Sequence, residues 1–130
     1  MTGLDTNVLV RYLTHDDPAQ FQAALRLLNR KDATFFVPDL VLVEVDWVLS
    51  GVYGWARDEI AETFARLLTV HNLVFEDEGR IRGALKAVRL SADLSDALIA
   101  ALAREHGCRD LATFDMDLLK QYPKFAFTPK

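Results

Sequence analysis

The feature that most constrains this chain is a steady alternation of strand-length and helix-length segments. Short apolar runs fall at 2–5, 34–38 ("TFFVP"), 72–76 ("NLVFE"), 110–114 ("DLATF") and 125–128 ("FAFT"). Between them lie segments with helical spacing at 7–14, 16–30, 39–54, 56–70, 78–90 and 93–107, and a short helical turn at 115–122. Strands separated by helices cannot pair as hairpins. They predict an α/β fold with a parallel sheet covered on both faces. In such sheets ligands bind at the carboxyl ends of the strands, so residues just after each strand are the first to inspect.

The punctuation supports these boundaries. Asp17 caps a helix with Pro18 at its first position and Phe21, Leu25 and Leu28 on one face. Segment 39–54 is very apolar and ends near Gly51 or Gly54, 56–70 is amphipathic through Ile60, Phe64, Leu67 and Leu68, and Gly107 stops the helix at 93–107. With 130 residues, 51% of them apolar and 26% charged, the chain fits a single domain, 1–130, with a real core and no disorder. The only cysteine, Cys108, cannot form an internal disulfide, and no Cys/His spacing suggests zinc. A signal peptide and a membrane span are not expected, and the chain reads as cytoplasmic. The net charge of −4 argues mildly against a nucleic-acid binder. That argument weakens if the acids cluster around cations.

Asp5 follows the first strand and Asp115 follows "LATF", which places both at the carboxyl edge of the sheet. Each has a bland alternative: Asp5 or Thr6 as a helix cap, Asp115 and Asp117 as the start of a turn. Glu44 has helical neighbours Leu40, Val41, Trp47 and Val48, all apolar. A lone glutamate in that setting is expensive to bury unless paired or bound to a cation; the alternative is a side chain at the helix edge, and Asp46 shows that this helix accepts acids. Asp93 makes a good N-cap, with Asp96 three residues on, where acids favour the helix dipole. Yet Ala97, Leu98, Ile99 and Ala100 predict a deeply packed helix whose first turn faces the sheet edge.

Asp5, Glu44, Asp96 and Asp115 are expected to converge at that edge. Two carboxylates about 5 Å apart repel by roughly 3 kcal/mol at an effective dielectric near 20. Four would protonate or splay without a counter-charge. All-oxygen ligands select hard cations, Mg²⁺ or Mn²⁺. Such an ion activates water and clamps a phosphate oxygen, the equipment for phosphodiester hydrolysis.

The four stretches "LDTNVLV", "VPDLVLVEVDWVL", "LSDALIAALA" and "LATFDMDL", in this order, resemble the PIN domain family, in particular its VapC-type toxin ribonucleases. The resemblance covers nearly the whole chain. It implies a three-layer α/β/α fold with a central parallel sheet of four to five strands, and a Mg²⁺- or Mn²⁺-dependent endoribonuclease. It also implies a homodimer, an RNA substrate and a small VapB-like antitoxin that blocks the site. Carried over residue by residue, Asp5, Asp96 and Asp115 resemble the metal-holding acids, and Glu44 a further ligand or a water positioner. Asp93 is an additional acid and Asp117 an alternate for Asp115. Thr6, Asn7 and Thr113 are the expected orienting residues.

Other features fit less well. No serine lies in a Gly-x-Ser-x-Gly context and no phosphate-binding glycine loop is present. His15, His71 and His106 are scattered. Arg82, Lys86 and Arg89 share a helical face that could meet RNA phosphates or simply be solvated, and Arg11, on the first helix near Asp5, is the better-placed candidate for such a contact. Trp47, Tyr53 and Trp55 read as core or interface. Two alternatives from other classes are a receiver-like phosphoacceptor signalling module, for which "LDTN" supplies one acid too few and "ATFD" no lysine, and a non-catalytic PIN-fold binding module.

Overall fold

A computed structural model describes residues 1–130. The chain divides into two compact units, Met1–Glu78 and Gly79–Lys130. All twelve expected elements form, with ends shifted by up to three residues.

The first unit carries β1 (Thr2–Gly3), α1 (Thr6–Thr14), α2 (Pro18–Leu28), β2 (Phe35–Val37), α3 (Asp39–Gly51), α4 (Arg57–Leu67) and β3 (Leu73–Phe75). Its three strands form one parallel sheet in the order β1-β2-β3. Thr2 pairs with Phe35, and Phe35 with Leu73, so Gly3, Phe36 and Val74 share the next row. Helix α3 runs through the core although Val and Trp are mediocre helix formers. Burial overrides propensity here: Val41, Leu42, Val43, Val45 and Leu49 are all buried, each stabilising by about 1.5–3 kcal/mol when removed from water. Pro38 cannot cap α3 with a side chain; instead the Glu76 carboxylate, just past β3, accepts from the Asp39 amide at 2.9 Å. Helix α2 begins as its sequence predicts, with the Asp17 side chain accepting from the Gln20 amide at 3.1 Å and Pro18 inside the first turn.

The second unit carries α5 (Glu78–Arg89, its first residue at the boundary), α6 (Leu94–Glu105), β4 (Leu111–Ala112), α7 (Met116–Gln121) and β5 (Ala126–Phe127). Strands β4 and β5 form their own parallel pair, Leu111 with Ala126 and Ala112 with Phe127. Helix α5 buries Ile81, Ala84, Leu85 and Val88, a single stripe at helical spacing. Helix α6 ends in a Schellman turn: Gly107, at φ +81°, lets its own amide reach Arg104 O and the Cys108 amide reach Ala103 O at 2.9 Å.

The expected single sheet of four to five strands is therefore corrected: five parallel strands exist, but as hydrogen-bonded sets of three and two. Strands of two or three residues carry few ladder bonds, and their pairing is set by distant partners that hydropathy does not reveal. No helix is long and apolar enough to cross a membrane.

Candidate active site

Asp5 leaves β1 at its carboxyl end. The ladder runs one residue past the strand, with the Leu4 amide donating to Phe36 O at 2.9 Å. Asp5 then takes the N-cap position of α1 in extended conformation, yet its side chain makes no capping bond. The bland explanation for this acid thus fails, and its exposed carboxylate is not committed to holding the helix. Thr6, next along, is 7% exposed, and its hydroxyl is buried without a hydrogen-bond partner. Such an orphan costs about 1–3 kcal/mol and is rare in native folds. A hydroxyl in that state is not orienting a carboxylate, as expected of it; it remains available to a ligand or water arriving at Asp5. Asn7 is exposed and lines a groove of about 320 Å³ with Val8, Arg11, Gln20, Ala24 and Leu27.

Continuing the sheet register, two rows beyond Gly3–Phe36 and one beyond Val37–Phe75, aligns Asp5 with Pro38 and Glu76. Glu76 was missed in the sequence, although it follows its strand just as Asp5 and Asp115 follow theirs. Glu44 differs from its expectation. It is exposed, on a face of α3 it shares with Leu40 and Trp47, which are 66% and 58% exposed. The cost of burying a lone glutamate therefore does not arise; Leu40 and Trp47 face outward with it, while Val41 on its other side is buried.

Arg11 is engaged within its own unit. Its guanidinium donates to Gln20 Oε1 at 2.7 Å, to Asp16 Oδ1 at 2.9 Å and to the Tyr53 hydroxyl at 3.4 Å. Tyr53 in turn donates to Asp16 Oδ2, and Thr14 donates to Asp16 Oδ1 at 3.0 Å. The Tyr53 hydroxyl, with Thr14 and Arg11, holds the Asp16 carboxyl below the usual carboxylate range. Arg11 is thereby a pin between α1, α2 and the turn after α3, rather than a free contact for phosphates.

In the second unit Asp93 heads α6 but makes no side-chain capping bond. Asp96, in the first turn, is half-buried. A helix N-terminus ordinarily favours a charged aspartate, but burial, and then the negative charges of Asp115, Asp93 and Asp117, push the Asp96 carboxyl up. Three acids of this unit therefore act on Asp96. Asp115 does cap α7: its Oδ1 accepts from the Asp117 amide at 2.8 Å and the Leu118 amide at 3.1 Å. Thr113 Oγ1 accepts from the Asp115 amide at 3.0 Å, so it fixes this acid through the main chain rather than through the carboxylate. Asp115 Oδ2 has no partner within the chain. Tyr122 belongs to the same neighbourhood: the Asp96 charge, after burial, helps to raise its hydroxyl. Arg104 lies over the rings of Tyr122 and Phe125, 5.4 and 4.6 Å from their centroids. No sequence pattern marked Tyr122. On α5, Arg82, Lys86 and Arg89 are exposed as a solvated face would be, with Arg82 and Arg89 holding partners of their own.

No group of three or more carboxylate, imidazole or thiol side chains is drawn together tightly enough to hold an ion. Like charges keep apart until a cation lies among them. The donor chemistry of each unit nevertheless suits a hard cation: in the second, all-oxygen side chains with Asp96 raised by burial and then by its acidic neighbours, and in the first, an orphaned hydroxyl beside Asp5.

Acids at the ends of parallel strands and at the heads of the helices that follow are the layout of a PIN domain. A family model with that description matches residues 4–124, and the chain belongs to the PIN domain family. It is similar to a VapC ribonuclease of Aquifex aeolicus (strain VF5), 26% identical over 117 residues, which cover 88% of this chain and 87% of that one. The family match sets aside the receiver-like reading.

Proposed function

We propose that this chain is the toxin of a toxin–antitoxin pair, a Mg²⁺- or Mn²⁺-dependent endoribonuclease that hydrolyses RNA phosphodiester bonds. The observation that carries the reading is Asp96, half-buried and raised by Asp115, Asp93 and Asp117. An acid held under that repulsion gains most from a bound cation. Membership of the PIN family and the similarity to a VapC ribonuclease support the same reading.

Asp5, Asp96 and Asp115 hold the cation, and Glu44 is a further ligand or positions the attacking water. When bound, the cation supplies activated water and neutralises charge at the phosphate. Asp115 Oδ1 is occupied by the α7 amides, so Oδ2 is its donor atom. The Asp115 main chain is held by Thr113, which fixes where that oxygen stands. Thr6 Oγ1 offers a hydrogen bond beside Asp5, Asn7 lies on the exposed side of the same turn, and Asp93 and Asp117 add negative charge. The chain works as a single PIN domain, 1–130. Its partners are RNA, a small VapB-like antitoxin and a second copy of itself, in the cytoplasm.

Expression in a bacterial host tests this. Growth arrest is expected from the wild type and relief from Asp5→Asn or Asp96→Asn. Arrest that persists in both variants would remove the catalytic assignment and leave a binding module.

A further inference from the structure

Phe114 lies between Thr113 and Asp115 and is 77% exposed, although it is among the largest apolar side chains in the protein. It is not on a loose loop. The Thr113 amide donates to Phe127 O at 2.9 Å, extending the β4–β5 ladder, and the Asp115 amide donates to Thr113 Oγ1 at 3.0 Å. The main chain on both sides is therefore fixed, and the ring is presented to water on a rigid frame.

Its surroundings set what it can bind. Away from the phosphate that the proposed cation neutralises, Asp115 and the acids around Asp96 repel the backbone, so the ordinary source of affinity for nucleic acid is weak there. Two arginines of this unit are engaged, Arg104 on the Tyr122 and Phe125 rings and Arg80 on Glu105 at 2.8 Å. A substrate strand held next to Asp115 gains from an uncharged contact. A flat aromatic face is the one that every base can use.

We propose that Phe114 is a base-stacking platform that seats one nucleotide of single-stranded RNA beside Asp115. The inference rests on the ribonuclease reading for its substrate class. It accounts for a large exposed ring at a fixed place, and it selects unpaired bases, because those of a duplex are already stacked.

The test compares Phe114→Leu, which keeps the apolar bulk but not the π face, with Phe114→Trp, which keeps both. With a short single-stranded RNA and Mn²⁺, Phe114→Leu should raise KM about five- to hundredfold, the range for one lost base–aromatic stack, with kcat little changed. Phe114→Trp should retain the wild-type KM, and its added fluorescence should be quenched by the single strand and not by a duplex of the same sequence. Equal KM values for Phe114→Leu and wild type would overturn the stacking role and assign the ring to a protein partner. If the wild type cuts no RNA, the ribonuclease reading fails separately. Quenching in Phe114→Trp then still decides the stack: its presence upholds it and its absence overturns it.

Discussion

The negative charge of Asp115 raises the proton affinity of Asp96, in addition to what burial does to that half-buried acid. The two residues lie in different elements of the second unit, one in the first turn of α6 and the other capping α7. An arrangement that makes a carboxylate costly to ionise is one that a structural role has no reason to keep.

Asp96→Asn should therefore stabilise the fold while removing the activity. Water screens much of the repulsion at a half-exposed site, which limits the gain to about 1 kcal/mol, or up to about 4 °C in Tm for a chain of this size. Cleavage should fall at least about a hundredfold, as expected when a charge-stabilising group is lost. Thermal melting with and without Mn²⁺ checks the same point. The cation should raise the wild-type Tm and have a smaller effect on Asp96→Asn.

Asp5 and Asp115 both occupy N-cap positions, but only Asp115 makes capping bonds. Asp5→Asn should leave stability within about 0.5 kcal/mol of wild type while abolishing cleavage. Asp115→Ala should lose about 1 kcal/mol with its cap. Asp115→Asn should recover that stability, since asparagine caps equally well, without recovering activity. Denaturant melts and an RNA cleavage assay on the three variants separate the two roles.

The Thr6 hydroxyl is buried without a partner. Replacing a group of that kind by an apolar one of the same shape is neutral or stabilising. Thr6→Val should keep or raise Tm and yet slow cleavage. A Thr6→Val protein with wild-type cleavage would show that the hydroxyl has no part in the site.

The Asp16 carboxyl is held low first by Tyr53, then by Thr14 and Arg11. A depressed carboxylate contributes stability above its unfolded value, about 3.9, and loses it as pH falls through the lower folded value. Tyr53→Phe should therefore be less stable than wild type at neutral pH, with the difference vanishing in strong acid. Acid titration followed by circular dichroism reads this directly.

Much of the fold was legible because local rules governed it. Helix starts at Asp17–Pro18, the stop at Gly107 and the stripes of α4 and α5 follow from caps and periodicity. The division of strands between two sheets was not legible, since short strands find partners through distant contacts. Of the proposed site, Asp5, Asp96 and Asp115 are legible from their positions after strands and at helix heads. Glu44 was reasoned to be costly to bury because its neighbours are apolar, but Leu40 and Trp47 are themselves exposed. The partners of Arg11, namely Asp16, Gln20 and Tyr53, are spread along the chain and carry no local signal. Glu76 obeyed the same rule as Asp5 and was passed over, and Tyr122 carried no periodic or motif signal.

The most direct test is cleavage of single-stranded RNA by purified protein with Mn²⁺, comparing wild type, Asp5→Asn, Asp96→Asn and the double variant. Residues that serve one cation act as a unit, so each single variant should lose nearly all activity and the double variant little more. Losses that multiply in the double variant, or cleavage that survives either single change, would contradict the proposed cation-holding roles of Asp5 and Asp96.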